Sequence, residues 1–216
     1  MKRQTPLPLR ERILATADDL FRRHGIRGVG VEAIAAEAGT NKVSLYRYFE
    51  SKDLLITEWV RGIIAQKDAA WDEILRQHPD DPRAQLVSWS RRTAEALSQM
   101  EERGSVILNA LAELPEEDHP ARRLIDEHRK HEHKRIRAVC RRAGFSESDA
   151  VADQFYLLLE GAKSCVQAMG LRRVGEHLMR VVDQMVATED RSADVAPSGV
   201  RASPTTRARK GVKRAH

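Results

Sequence analysis

The stretch "TNKVSLYRYFESKDLL", residues 40–55, decides the fold. Asn41 can cap a short helix running to Phe49, in which Leu45 and Phe49 stand four apart on one inward face. Ser51 offers a cap for the helix that follows. Upstream, Val31, Ile34, Ala35 and Ala38 form the inward stripe of another short helix, closed by Gly39. Two short helices joined by a tight glycine-containing turn are the pattern of a helix-turn-helix. Its second helix lies in the major groove of double-stranded DNA with N-terminal residues at the base edges.

The chemistry of residues 41–52 suits that placement. Asn41 caps the helix at its groove end, and Lys42 can donate to guanine O6 and N7. Val43 can pack on a thymine methyl, and Ser44 can serve either base type. Arg47 can reach a base or a phosphate. Tyr46 and Tyr48 carry hydroxyls on rigid arms, suited to phosphate oxygens that fix register. Lys52 adds charge at the start of the next helix, where unpaired N–H groups already favour a phosphate.

Working outward, the periodicity is helical almost throughout, which predicts an all-α fold. Leu9, Ile13, Leu14, Ala17, Leu20 and Phe21 stripe a first helix ended by Gly25. A fourth helix runs from Ser51 to about Arg76. Asp81 and Pro82 open a fifth, through about Met100. "SVILNALAEL" forms a short sixth ending at Pro115, and Pro120 opens a charged seventh that Gly144 terminates. Ser146 is expected to cap the eighth, through Met169, and the last helix to span about Val174 to Thr188.

The 216 residues carry a net charge of +5, and its location matters. Residues 191–216 hold seven Lys or Arg against the single Asp194, so the basic balance lies in this end segment. Its Ser, Pro, Gly and Thr content without apolar periodicity predicts a disordered basic tail. Such a tail can add sequence-independent attraction to phosphate or simply solubilise the chain. Two cysteines, Cys140 and Cys165, are too few for a disulfide framework, which suits a reducing compartment. No apolar run approaches a membrane span and no signal peptide precedes the first helix, so a cytoplasmic location without membrane contact is expected.

From "RERILATADDLFRRHGIRGV" through "VEAIAAEAGTNKVSLYRYFESKDLL" the chain resembles the N-terminal DNA-binding domain of the TetR family of transcriptional regulators. Phe21 and Gly25, Ile34 and Ala35, Ala38 and Gly39, Leu45-Tyr46, Tyr48-Phe49 and Ser51-Lys52 carry the likeness. It implies an N-terminal three-helix DNA-binding domain merged with a helical ligand-binding and dimerisation domain. The divisions are an arm (1–8), the helix-turn-helix (9–50), the larger helical domain (51–189) and the tail (190–216). Gly30 departs from the Thr or Ser common at the start of the second helix, and Thr40 stands where an aliphatic is commoner. Val151, Phe155, Leu158, Leu159, Ala162, Val166 and Met169 form a stripe broad enough to serve both core and partner, Val174, Leu178, Val181, Val182 and Met185 form a second, and the resemblance implies a homodimer built from these last two helices. It implies a repressor released from a palindromic operator by a small-molecule effector, with no cofactor and no catalysis.

A ligand site needs apolar walls with few polar groups. Trp59, Trp71, Trp89, Asn109, Glu113, Phe155, Tyr156 and Glu160 are the candidates, and Glu160 in an apolar helix can either select a cationic or hydrogen-bonding ligand or pair with an Arg. An alternative of another class rests on "HRKHEHKR". His128 with Glu132, and Glu127 with His131, have the four-residue spacing that can bring two ligands to a metal.

Overall fold

The computed structural model describes residues 7–98 and 105–194, the last seven by backbone alone. Every regular element among the described residues is an α-helix. They are α1 (Leu9–His24), α2 (Val31–Glu37), α3 (Lys42–Tyr48), α4 (Lys52–Gln77), α5 (Pro82–Ser98), α6 (Val106–Glu113), α7 (Pro120–Arg142), α8 (Ser148–Met169) and α9 (Leu171–Asp194). None is long and apolar enough to cross a membrane.

The helix boundaries follow from local chemistry. The Asn41 side chain accepts the Ser44 N–H at 2.9 Å, and Ser51 Oγ accepts that of Leu54 at 3.1 Å. Asp81 Oδ1 takes the Ala84 N–H at 2.9 Å. At the end of α2, Gly39 adopts φ 66°, so its N–H reaches the Ala36 carbonyl and that of Thr40 reaches Ala35, at 3.1 and 2.9 Å. This left-handed turn is the helix-ending motif that glycine enters most readily, and it sets the angle between α2 and α3. Gly30 precedes α2 without a side-chain cap bond, as its lack of a hydroxyl dictates.

Three boundaries differ from expectation. Glu147, rather than Ser146, occupies the capping position of α8 and makes no side-chain cap bond; Phe145 is buried at this turn and the helix starts beyond it. Helix α9 starts at Leu171, three residues early, because Gly170 at φ 83° reverses the chain in one step. It continues through Asp194, past the expected tail boundary at 190, since neither Gly nor Pro interrupts that segment. The remainder of the expected tail, 195–216, and residues 1–6 of the expected arm lie outside the described residues.

Two clusters form the core. The first joins α1, α2, α3, the start of α4, α6 and the start of α7; the second joins the rest of α4 with α5, α7, α8 and α9. Ile13, Ile34 and Leu45, all at 0% exposure, pin the three short helices together. Each such burial contributes about 1.5–3 kcal/mol. Helix α4, 26 residues and about 39 Å long, begins in one cluster and ends in the other.

Candidate nucleic-acid interface and adjoining cavity

Helix α3 divides as its spacing predicts. Leu45 and Phe49 are buried, while Val43 is 68% and Tyr48 48% exposed. Asn41, Lys42 and Arg47 are also exposed, and Ser44 and Tyr46 are half-buried. An exposed valine beside an exposed tyrosine on a helix fixed from below forms a ready contact face.

That face rests on a braced support. Arg12 Nε donates to the Ala38 carbonyl at 3.3 Å, holding α1 to the turn. Arg10 pairs with Glu58 of α4 at 2.7 Å and its guanidinium lies 5.3 Å from the centre of the Phe49 ring. Trp59 Nε1 donates to Asp18 Oδ1 at 2.7 Å, and Trp59 meets Phe21 edge-on at 5.0 Å. Packed and bonded side chains thus tie α4 to α1 and to Phe49 at the end of α3.

The two lysines of the interface differ. Lys42 Nζ lies 2.6 Å from Glu32 Oε1 on α2. The hydrogen bond between them raises the Lys42 pKa and lowers that of Glu32. Both groups are exposed, so water screens the pair and leaves Lys42 able to exchange partners. Lys52 departs from its expected aim at a phosphate. Its ammonium is partly buried and donates to the Ile26 carbonyl at 2.7 Å, tying α4 to the α1–α2 turn. Burial lowers its pKa, against the opposing pull of Asp53 and Glu113.

Below this support a cavity of about 510 Å³ opens between α1, α4, α5 and α6, with Lys163 reaching it from α8. Of the expected ligand residues, Trp59, Trp89, Asn109 and Glu113 line it. Trp71 meets Trp89 edge-on at 4.9 Å within the second core cluster, behind the wall. Phe155, Tyr156 and Glu160 do not line it. Phe155, 1% exposed, fills the second core; Tyr156 tilts against His133; Glu160 pairs with Arg129 at 3.2 Å and Lys163 at 2.6 Å. Burial opposes ionisation of Glu160, but the two cations outweigh it and its pKa falls. An acid so neutralised gives no cation-selective site.

The sequence reading missed Gln66, Lys67, Thr93, Arg92 and Lys163 on the cavity wall. A signal for Lys67 was available: Trp59, Ile63, Lys67 and Ala70 follow one face of α4 at helical spacing. Lys163 gave none, because only packing places α8 beside α4.

The histidine run separates on α7. His128 and Glu132 are buried, with His128 Nδ1 3.9 Å from Asp68 and Glu132 3.9 Å from Lys67. His131 and Glu127 are exposed. Among the described residues no group of three or more His, Cys, Asp or Glu side chains could hold a metal ion.

The apolar stripes of α8 and α9 serve the chain's own core. Phe155, Leu159, Leu178 and Val182 are all buried within it. What α8 and α9 leave outside is Met169 and Val181 from these stripes, at 41% and 37% exposure, together with Leu157 at 70%. Gly161, Cys165 and Ala168 share the Leu157 face and are also exposed.

Comparison with known proteins agrees with this geometry. Residues 13–58 match the model of bacterial regulatory proteins, tetR family. An uncharacterized HTH-type transcriptional regulator of Mycobacterium tuberculosis is 40% identical over 50 residues, 23% of this chain and 25% of the relative. The HTH-type transcriptional repressor KstR2 of Rhodococcus jostii is 34% identical over 88 residues, 41% of this chain and 39% of the relative. The alignments thus span between a quarter and two-fifths of these curated relatives. Over most of its length the chain is similar to a solved TetR-family transcriptional regulator from Streptomyces coelicolor, with TM-score 0.78 and 26% identity, covering 83% of this chain and 95% of that one. With the capped α3 and the glycine turn before it, residues 13–58 form a DNA-binding domain of the tetR family of bacterial regulatory proteins, and the chain as a whole shares the fold of a TetR-family regulator.

Proposed function

We propose that this chain is a sequence-specific DNA-binding transcriptional regulator, a repressor released from a palindromic operator when a small molecule enters the cavity. The observation that carries the reading is α3, with Lys42, Val43, Arg47 and Tyr48 exposed above a fully buried Leu45. In a twofold dimer formed on the outer faces of α8 and α9, two copies of α3 meet half-sites about 34 Å or one further turn apart. Effector that binds the non-DNA conformation more tightly shifts the population away from DNA. Helix α4 is the element suited to carry that shift, since it lines the cavity with Trp59 and Lys67 and starts at the DNA-facing end with Lys52. Such a regulator acts in the cytoplasm, and the basic residues beyond 194 add sequence-independent attraction to phosphate. The repressor named among its relatives supports the sign of regulation.

The test is selection of binding sites from a random duplex pool with the full chain. A palindrome with half-sites one or two helical turns apart is the expected product. Enrichment of no sequence over the pool contradicts the reading.

A further inference from the structure

The cavity's charge is lopsided where α4, α7 and α8 meet. Lys67, Lys163 and Arg129 face two carboxylates, Glu132 and Glu160. The neighbouring Asp68 is taken by Arg135 at 2.6 Å. Glu160 is shared by Arg129 and Lys163 at 3.2 and 2.6 Å, which leaves Glu132, at 3.9 Å, as the carboxylate paired with Lys67, with Glu160 and Asp68 attracting it from farther off. That separation is too long for a hydrogen bond. Lys67 and Lys163 both line the cavity, together with Arg92 and with Arg22, which pairs with Asp18 at 2.9 Å, whereas among the described residues the acid on the wall is Glu113. Its carboxylate already accepts the Arg27 N–H at 2.8 Å.

Burial pushes the Lys67 pKa down and Lys163 adds to that by repulsion, and together they outweigh the attraction of Glu132, Glu160 and Asp68, so Lys67 carries its charge at an energetic cost. An anion beside it would offset that cost. The remaining wall supplies aromatic and aliphatic surface in Phe21, Trp59, Ile63, Trp89 and Ile107. Trp89 also holds a buried indole N–H with no acceptor among the described residues.

We infer that the cavity takes an amphipathic organic anion, a carboxylate on an apolar body, with the carboxylate against Lys67 and Lys163 and the body against Trp59 and Trp89. The inference rests on the reading of this cavity as the effector site and names the chemical class of the effector. Of the two readings the sequence leaves open for Glu160, a polar or cationic ligand or an Arg partner, the structure has the second, its charge being spent on Arg129 and Lys163. The volume of about 510 Å³ lies within the range of small-molecule sites.

The experiment titrates matched pairs into the full chain by calorimetry: decanoate against decanamide, and 2-naphthoate against 2-naphthamide. Wild type, Lys67→Met, Lys67→Arg and Lys163→Met are compared, with melting curves to confirm that each is folded. At least one carboxylate should bind at least about tenfold tighter than its amide, the effect of one partly desolvated ion pair. Lys67→Met should bring the ratio close to one, and Lys67→Arg should retain the preference. Equal binding of acid and amide, no binding of either carboxylate, or a preference that survives both Lys67→Met and Lys163→Met overturns the assignment. Carboxylates that bind with the expected preference yet leave affinity for the selected DNA unchanged uphold the ligand class and remove the effector reading instead.

Discussion

Arg27, in the turn between α1 and α2, and Glu113, at the end of α6, hold each other twice. The Arg27 backbone N–H donates to the Glu113 carboxylate at 2.8 Å, and Arg27 Nε donates to the Glu113 carbonyl at 3.1 Å. Glu113 also lines the cavity, so this contact joins the ligand-facing wall to the turn that Lys52 holds from α4. The two links meet at Ile26 and Arg27, in the turn between α1 and α2.

Glu113→Ala removes the carboxylate link and keeps the backbone carbonyl. Affinity for the selected DNA without ligand should change little, whereas the loss of affinity caused by a saturating carboxylate should shrink. Coupling between sites is typically about 5- to 150-fold, and the variant should show a several-fold smaller ratio. Fluorescence anisotropy of labelled duplex with and without decanoate measures it. An unchanged ratio places the coupling elsewhere.

The dimer is best probed from outside the core. Leu157→Glu places a charge on the 70% exposed face of α8 and should raise the dimer dissociation constant by at least about tenfold while leaving helicity and melting of the monomer intact. Phe155→Ala should instead cost about 3–5 kcal/mol of folding stability, because that ring is buried within its own chain. Light scattering and thermal melts separate the two. Wild type that is monomeric at working concentration contradicts the dimer outright.

His128 makes folding sensitive to acid. Burial lowers its pKa below the ordinary 6.5, helped by Lys67 and Arg135 and opposed by Glu132 and Asp68. The folded state therefore binds a proton here less readily than the unfolded chain. Stability from this group is complete above about pH 6.5 and falls as the pH drops through that value toward the folded pKa. Melting temperatures measured from pH 8 to pH 5 should decline more steeply for wild type than for His128→Gln. Parallel declines remove His128 from the acid response.

How far the sequence reads depends on whether a feature is local. The Asn41 and Ser51 caps, the Gly39 turn and the Leu45–Phe49 face are set by residues a few positions apart, and all are present as read. The cavity is legible only along single helices: Trp59 and Asn109 stood out, whereas Lys163 enters from a helix far along the chain. For Glu160 the sequence leaves a ligand and an Arg partner both open, and only the fold, which brings Arg129 from 31 residues away, decides for the Arg. The stripes of α8 and α9 are broad enough for core and partner alike, and the sequence does not divide them. An apolar face does not say whether its partner is another helix of the same chain or a second copy, and here packing gave Phe155 and Leu178 to the chain's own core.

The central claim is that α3 reads base edges, and Lys42 and Lys52 test it because they are alike in chemistry and unlike in position. Lys42 is exposed on α3 and held loosely by Glu32, whereas Lys52 is tied to the Ile26 carbonyl at the start of α4. Loss of a base contact should relax the preference at one position of each half-site, on the order of tenfold to a hundredfold. Loss of Lys52 should weaken binding across all sequences alike, through the support it gives α4 and the charge it places near the backbone. The measurement is selection from a random duplex pool with wild type, Lys42→Ala and Lys52→Ala, followed by affinity against salt on the selected site. The account predicts an altered preferred site for Lys42→Ala and an unaltered one for Lys52→Ala; an unaltered site in Lys42→Ala beside an altered one in Lys52→Ala contradicts it.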